Sequence, residues 1–445
     1  MINPVSAPEI IPPLHRKTVG TVLNIFLLRC FSLLLANVLY FVIERFYGTG
    51  AVGSFGIYFS FISIGGLLAS YGFGNAVLKL SGAASGDRDL AMLGHGYRKM
   101  LRLTSFTATG IALIIVLLGR DLAAIFLKDP NLAPVFYGSA MVLLPYCLLD
   151  ISSEVIRGRG KTNLYIIFKE TGLWVVAAPV LVFLIMTHYG PFSPVIAHAL
   201  AVVVFAVVAL MVCQELLRTE REWAVTGSTL KELLKLSVPM QLSKGLNWTA
   251  HWIDILIMGV FLGAPQIGIY MVLNRLAAFA DQVSYSINVY VAPRIAYHHQ
   301  QQRGKHLSQL TRDSVRYGTL TVIPLALLLA IICQPLLSWY GADYASAWIA
   351  FLILLLSGLI DTACGPVGYL LNMTGKEQSS VHIMVTTTLL RVIFLLVFVG
   401  YLQWGLLGAA LAHLLFVVVW NLVSLVVIRQ HLGFLPVYIP TFKKN

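Results

Sequence analysis

The sequence predicts an all-α polytopic membrane protein, with about twelve transmembrane helices in two pseudo-symmetric six-helix bundles. Three observations lead there. The 445-residue chain is 58% hydrophobic and 11% charged, with a mean hydropathy of +0.82, more apolar surface than a water-soluble core can hide. It contains about twelve apolar runs of roughly 20 residues, the length that covers a hydrocarbon layer of about 30 Å. Short segments also recur: "YGTGAVGSFGIY" and "LGAPQIGIY" set Tyr58 and Tyr270 212 residues apart, while "LLDISSEVIRGRGK" and "LIDTACGPVGYLLNMTGK" set Asp150 and Asp361 211 apart. Two matches at nearly one offset point to a duplication. Six spans per half is an even number, so both halves enter the membrane in the same sense. A pseudo-two-fold axis along the membrane normal follows, with a site where the halves meet.

The runs lie near 19–43, 51–76, 100–119, 132–150, 164–187 and 191–213 in the first half, and near 237–262, 266–292, 314–333, 345–371, 380–402 and 404–428 in the second. Residues 1–18, Pro-rich and ending in "HRK", read as a cytoplasmic tail. They precede an N-terminal bundle over 19–213, a polar linker over 214–236, a C-terminal bundle over 237–428 and a second cytoplasmic tail over 429–445. Within the linker, "STLKELLKLS" predicts a short amphipathic helix on the membrane surface, leucines down and lysines toward lipid phosphates. With both termini inside, the inner loops and the adjoining Arg102 and Arg316 hold 23 of the 31 Lys and Arg residues, while the outer loops hold Arg45, Arg120 and Lys128. This bias explains the net charge of +12 without a nucleic-acid partner. The five cysteines stand singly in predicted helices, so neither a disulfide framework nor a metal site is expected.

Ionisable groups at bilayer depth cost roughly 2.5 to 3.5 kcal/mol each and normally face a protein interior or an aqueous cavity. The first span carries Arg29. At about 100° per residue Arg29, Ser32, Asn37 and Tyr40 share an arc of roughly 140°. In the seventh span Gln241, Lys244, Asn247, His251 and Asp254 cluster in a similar arc, and in the eighth Arg275, Gln282 and Ser286 align, flanked by Asp281 and Tyr285. The common destination is a hydrophilic cavity between the halves. Two placements fit Arg29: cavity lining, or snorkelling toward the near interface. Lys244 and Arg275 have Asp254 and Asp281 as pairing candidates, whereas Arg391 has no acid nearby in its own helix. Lys169 and Glu170, adjacent in sequence, diverge too far on a helix to pair with each other. Asp150 and Asp361 read equally well as solvated helix-end charges or as gating groups. Neither a GxSxG, HExxH nor Walker A pattern occurs, and the outer loops are too short for a catalytic domain, so enzyme chemistry is not expected. No cofactor is expected.

The stretches "ERFYGTGAVGSFGIYFSFISIGGLLASYGFGNAVLKL" and "SVPMQLSKGLNWTAHWIDILIMGVFLGAPQIGIYMVLNRLAAFADQ" resemble the polysaccharide transporter family. These are the flippases of O-antigen and exopolysaccharide repeat units, in the superfamily that also holds multidrug and toxin extrusion (MATE) antiporters and lipid II flippases. The likeness runs over nearly the whole chain and rests on the order and spacing of degenerate elements. It implies a MATE-like, V-shaped pair of six-helix lobes in a bacterial inner membrane. Such a protein moves an undecaprenyl pyrophosphate-linked oligosaccharide from the cytoplasmic to the periplasmic leaflet for lipopolysaccharide or exported polysaccharide synthesis. Its partners would be that lipid-linked oligosaccharide, membrane lipids and other polysaccharide assembly proteins. By the same resemblance Arg29 and Arg275, with Lys244 and Arg391, would hold the pyrophosphate, since Arg forks match phosphate oxygens. Asn37, Gln241, Asn247, His251, Asp254, Asp281, Gln282 and Tyr285 would supply the polar lining. The chain lacks the extra helix pair of the lipid II flippases and has no arginine between Gly53 and Lys79, which argues against lipid II. A multidrug cation antiporter is the alternative within the superfamily, and a polysaccharide polymerase or ligase a more distant one.

Overall fold

The computed structural model describes residues 16–84, 87–218 and 230–436. Among these residues nearly all are helical and no strand occurs. Among the described residues ten helices are long and apolar enough to cross a membrane. They are α1 (Arg16–Tyr47), α2 (Thr49–Ser70), α3 (Asp87–Leu117), α4 (Ala133–Gly158), α5 (Thr162–Met186), α6 (Ser193–Leu216), then α9 (Gly304–Ile331), α10 (Trp348–Met373), α11 (Glu377–Tyr401) and α12 (Gly405–Leu432). The seventh and eighth predicted spans are α7 (Leu230–Phe261) and α8 (Ala264–Gln300), of 32 and 37 residues. At 1.5 Å per residue they are roughly 48 and 55 Å long, so length qualifies them and their polar residues lower the hydropathy. Bulky apolar side chains such as Phe106, Leu117, Met141 and Ile331 stand on the outer surface, a pattern that lipid solvates and water would not.

One predicted element is corrected. Of "STLKELLKLS", the described part Leu230–Ser237 is the beginning of α7 and not a separate surface helix. It is amphipathic, with Leu233 buried and Lys231 and Lys235 exposed, yet no Gly or Pro separates Leu230 from Val238 to end it. The tail residues 1–15 and 437–445 and linker residues 219–229 lie outside the described residues. The tenth span is interrupted: a helix over Trp348–Cys364 ends at Gly365, whose φ of 81° is open to glycine, and resumes at Val367.

Local geometry repeats between the halves. Gly48 before α2 (φ 79°, ψ 174°) and Gly263 before α8 (φ 86°, ψ 174°) have nearly the same glycine-favouring backbone and stand 215 residues apart. The spans α5 and α11 have 25 residues each and start 215 apart, as do the Ala-His pairs Ala197-His198 of α6 and Ala412-His413 of α12. In that register Tyr58 with Tyr270, and Asp150 with Asp361, are one helical turn out of step. A shift of three or four residues keeps the same face, which is why the mismatch is invisible in the sequence.

The halves approach backbone to backbone where α2 crosses α8. A methyl group at Gly53 would sit 1.7 Å from the carbonyl oxygen of Ala264, and one at Gly268 would sit 2.3 Å from that of Thr49. At this end of the molecule Tyr344 donates to Glu44 Oε2 at 2.6 Å, and the Lys128 ammonium donates to the Val260 carbonyl. From the other end, the first half of α7 lies in the corner where α2 meets the short helix Phe73–Ala83. There Gln241 Nε2 donates to the Leu67 carbonyl at 2.8 Å.

Candidate functional site

Between the first-half helices and the pair α7–α8 lies a cavity of about 530 Å³, within the range of ligand pockets. Its wall is built from α1, α2, α4, α5, α6, α7 and α8. Arg29 enters from α1 and Arg275 and Gln282 from α8; Asp150 comes from α4 and Lys169 and Glu170 from α5. Arg29 Nη2 lies 3.1 Å from Glu170 Oε1, and the Lys169 ammonium pairs with Asp150 Oδ1. Both pairs are partly exposed to the cavity.

Local helix geometry makes this double use of Lys169 and Glu170 work. Residues Ile167–Thr171 form a π-helical turn inside α5. A π turn holds more residues than an α turn, so neighbouring side chains diverge by less than the usual angle. Lys169 and Glu170 do not pair with each other, as predicted, but both face the cavity and reach separate partners. Thr171, closing the turn, is tied to Ser32 of α1 by a hydroxyl–hydroxyl hydrogen bond.

Arg275 is held differently. Its guanidinium carbon stands 4.5 Å from the Tyr40 ring centroid and 5.3 Å from that of Trp174. Cation–π contact with two aromatic faces orients the planar group. Among the described residues no carboxylate pairs with it. The aromatic wall continues through Phe59, stacked at 5.9 Å on both Trp174 and Trp252. His198, the α6 residue of the lining, is buried beside it, with Nδ1 2.9 Å from the Tyr58 hydroxyl. The described lining thus carries three side-chain cations and two carboxylates.

A model of the polysaccharide biosynthesis protein family matches residues 42–351, well over half of the sequence. The chain belongs to that family. No curated relative matches it in sequence. Among solved structures, an inward-facing multidrug resistance MATE family transporter of the MOP superfamily superposes with a TM-score of 0.72 at 14% identity, over 90% of this chain and 94% of its own. The lipid II flippase MurJ in an inward closed conformation gives 0.67 at 16% identity, over 91% and 87%. A MOP superfamily transporter from Pyrococcus furiosus, described by the reverse polarity of its binding pocket, gives 0.61 at 14%, over 94% and 96%. At such identities the likeness is one of fold, and the MATE-like architecture expected from the sequence is present.

Within this family member the residues singled out in the sequence fall into four groups. Arg29, Arg275 and Gln282 line the cavity. Asp254 and Arg391 do not: they form an ion pair at 1% and 3% side-chain exposure, behind the cavity wall. Tyr270 donates to Asp254 Oδ2 at 2.9 Å, and Arg391 Nη2 lies 2.7 Å from His413 Nδ1. The corrected placement has a simple cause, because each charge is the nearest means of neutralising the other in a low-dielectric interior. Asn37 is buried and donates to its own helix at the Leu33 carbonyl, 2.8 Å away, so it is not part of the cavity lining. Gln241 lines an adjoining chamber of about 410 Å³ that shares Ser63, Tyr146, Asp150, Tyr165 and Lys169 with the first. The side chains of Lys244, Asn247, His251, Asp281 and Tyr285 lie outside the described residues.

Asp150, Lys169 and Glu170 are the lining charges that sequence reasoning left aside. The available signal was an adjacent Lys-Glu pair inside an otherwise apolar span, which is too costly in lipid to be idle.

Proposed function

We propose that this protein is a non-enzymatic flippase for a polyprenyl-pyrophosphate-linked oligosaccharide, carrying it from the cytoplasmic to the periplasmic leaflet of a bacterial inner membrane. The bundles 19–213 and 237–428 rock about the shared cavity, with both termini cytoplasmic. The observation that carries this reading is Arg275. It is a guanidinium oriented by two aromatic rings inside an intramembrane cavity and has no carboxylate partner among the described residues. Such a group is suited to a phosphate-bearing ligand, because its fork meets two oxygens at once. Arg29 and Lys169 add cationic donors from the facing wall. Membership in the polysaccharide biosynthesis family supports a glycan as the attached cargo. The prenyl tail remains in lipid, and polar groups such as Gln282 and Gln241 meet sugar.

An organic-cation exporter would need carboxylates free to receive its cargo. Here Asp150 and Glu170 are each engaged by a cation, which favours an anionic headgroup. The test is reconstitution in liposomes with a fluorescent polyprenyl-pyrophosphate oligosaccharide in one leaflet. Leaflet exchange by the native protein, abolished in Arg275→Ala, is the expected result. Absence of exchange by the native protein, accompanied by export of organic cations, would overturn the reading.

A further inference from the structure

We infer that Glu170 and Asp150 are built-in stand-ins for the cargo's two phosphates: they neutralise Arg29 and Lys169 when the cavity is empty and are displaced when a diphosphate enters. This rests on the flippase reading above. The molecule contains ion pairs of two kinds, and the contrast between them carries the inference.

Asp254 with Arg391 is almost completely buried and is fastened further by Tyr270 and His413. Such a pair is permanent, since separating it strands charges in the interior. Arg29 with Glu170, and Lys169 with Asp150, are open to the cavity at about a fifth to a third of their side-chain surface. Arg29 Nη2 lies 3.1 Å from Glu170 Oε1. Such pairs cost less to separate than the sealed one, because the freed charges can be solvated in the cavity or met by a ligand there. Both carboxylates line the same cavity as the cations they hold and as Arg275.

The arrangement addresses a general problem of carriers. Three uncompensated cations at bilayer depth would be costly in an empty cavity and would retain a diphosphate too firmly to release it. Internal carboxylates remove the first difficulty by pairing and the second by competing for the same donors after transport. Two stand-ins match a headgroup with two adjacent anionic centres. Carboxylates that compete lower affinity and speed release, so removing their charge should produce a protein that binds better and moves cargo more slowly.

The experiment uses the full-length protein in detergent, with farnesyl diphosphate as the binding probe, and the same protein in liposomes for leaflet exchange. Glu170→Gln and Asp150→Asn are made singly, keeping size and hydrogen-bonding capacity. Binding tighter by about three- to tenfold in each variant, as expected for removing a partly exposed competitor, with slower exchange, supports the inference. Binding by the native protein that is unchanged or weaker in both variants overturns it, and marks the pairs as structural. Loss of folding in both variants, read from melting curves, overturns it for the same reason. Failure of the native protein to bind the probe at all overturns the flippase reading and the inference with it, an outcome distinct from the others.

Discussion

Arg391 of α11 and Asp254 of α7, 137 residues apart in the chain, form an ion pair buried to 3% and 1% exposure. The pair joins two helices of the second half behind the cavity, and Tyr270 connects it to the lining, because its hydroxyl holds Asp254 while its ring faces the cavity. Removing one partner leaves an uncompensated charge in the interior. Asp254→Ala or Arg391→Ala should each cost about 3 to 5 kcal/mol of stability, read as a lowered melting temperature. The double replacement Asp254→Leu with Arg391→Met should recover most of the loss. Equal instability of the single and double variants would show that the pair is not what holds these helices.

The crossing of α2 and α8 is predicted to be intolerant of any side chain. A methyl at Gly53 meets backbone, the Ala264 carbonyl, at 1.7 Å, and backbone gives way far less readily than a side-chain tip. Gly53→Ala should destabilise the protein by about 1 to 3 kcal/mol or hold the halves apart at this end. Gly50→Ala, where a methyl has nothing within 4 Å, is the control and should be silent in the same melting experiment.

Arg275 is expected to fail even when its charge is kept. Lysine cannot reproduce a planar guanidinium stacked over Tyr40 and Trp174, so Arg275→Lys should lose most leaflet exchange. Tyr40→Leu should weaken headgroup binding by roughly 0.5 to 2 kcal/mol, the range of a cation–π contact. Full activity in Arg275→Lys would reduce the residue's role to simple charge.

At the end where α2 begins, the Tyr344 hydroxyl donates to Glu44 Oε2 at 2.6 Å across the halves. Tyr344→Phe deletes that charge-assisted bond, worth roughly 1.5 to 3 kcal/mol, while keeping the ring. Spin labels on exposed positions flanking the contact should then report a larger population with this end open. An unchanged distance distribution would remove the bond from any part in keeping the end shut.

Much of the fold was legible because lipid imposes it: apolar runs of spanning length, and repeated glycine segments where the halves correspond. Even α7 and α8, whose polar residues lower their hydropathy, were legible as spans from their runs near 237–262 and 266–292. Arg29 and Arg275 were recognisable as cavity residues because a guanidinium in a membrane helix has few stable surroundings. The partners were another matter. Glu170 for Arg29 and Asp254 for Arg391 lie 141 and 137 residues away, and periodicity within one helix carries no information on contacts between helices. The helical angle was enough to separate Lys169 from Glu170, but the π turn of α5, which sequence periodicity does not register, is what lets both face the cavity. Arg391 in particular has no acid near it in sequence, a negative observation that fits a cavity ligand and a buried pair equally.

The two π turns have a consequence for how the duplicated halves differ. Ile167–Thr171 lies near the start of α5, while Leu396–Tyr401 lies at the finish of its counterpart α11, so the same irregularity sits at opposite ends of two corresponding helices. In the first half it turns charges inward to the cavity; in the second, Arg391 precedes the irregular turn and is sequestered in the bundle. The halves therefore keep a common mechanical frame while exposing unlike surfaces to one shared space. The cargo proposed above, with a charged head and a greasy tail, is itself lopsided, and a chamber with identical halves would have no means of telling one end of it from the other.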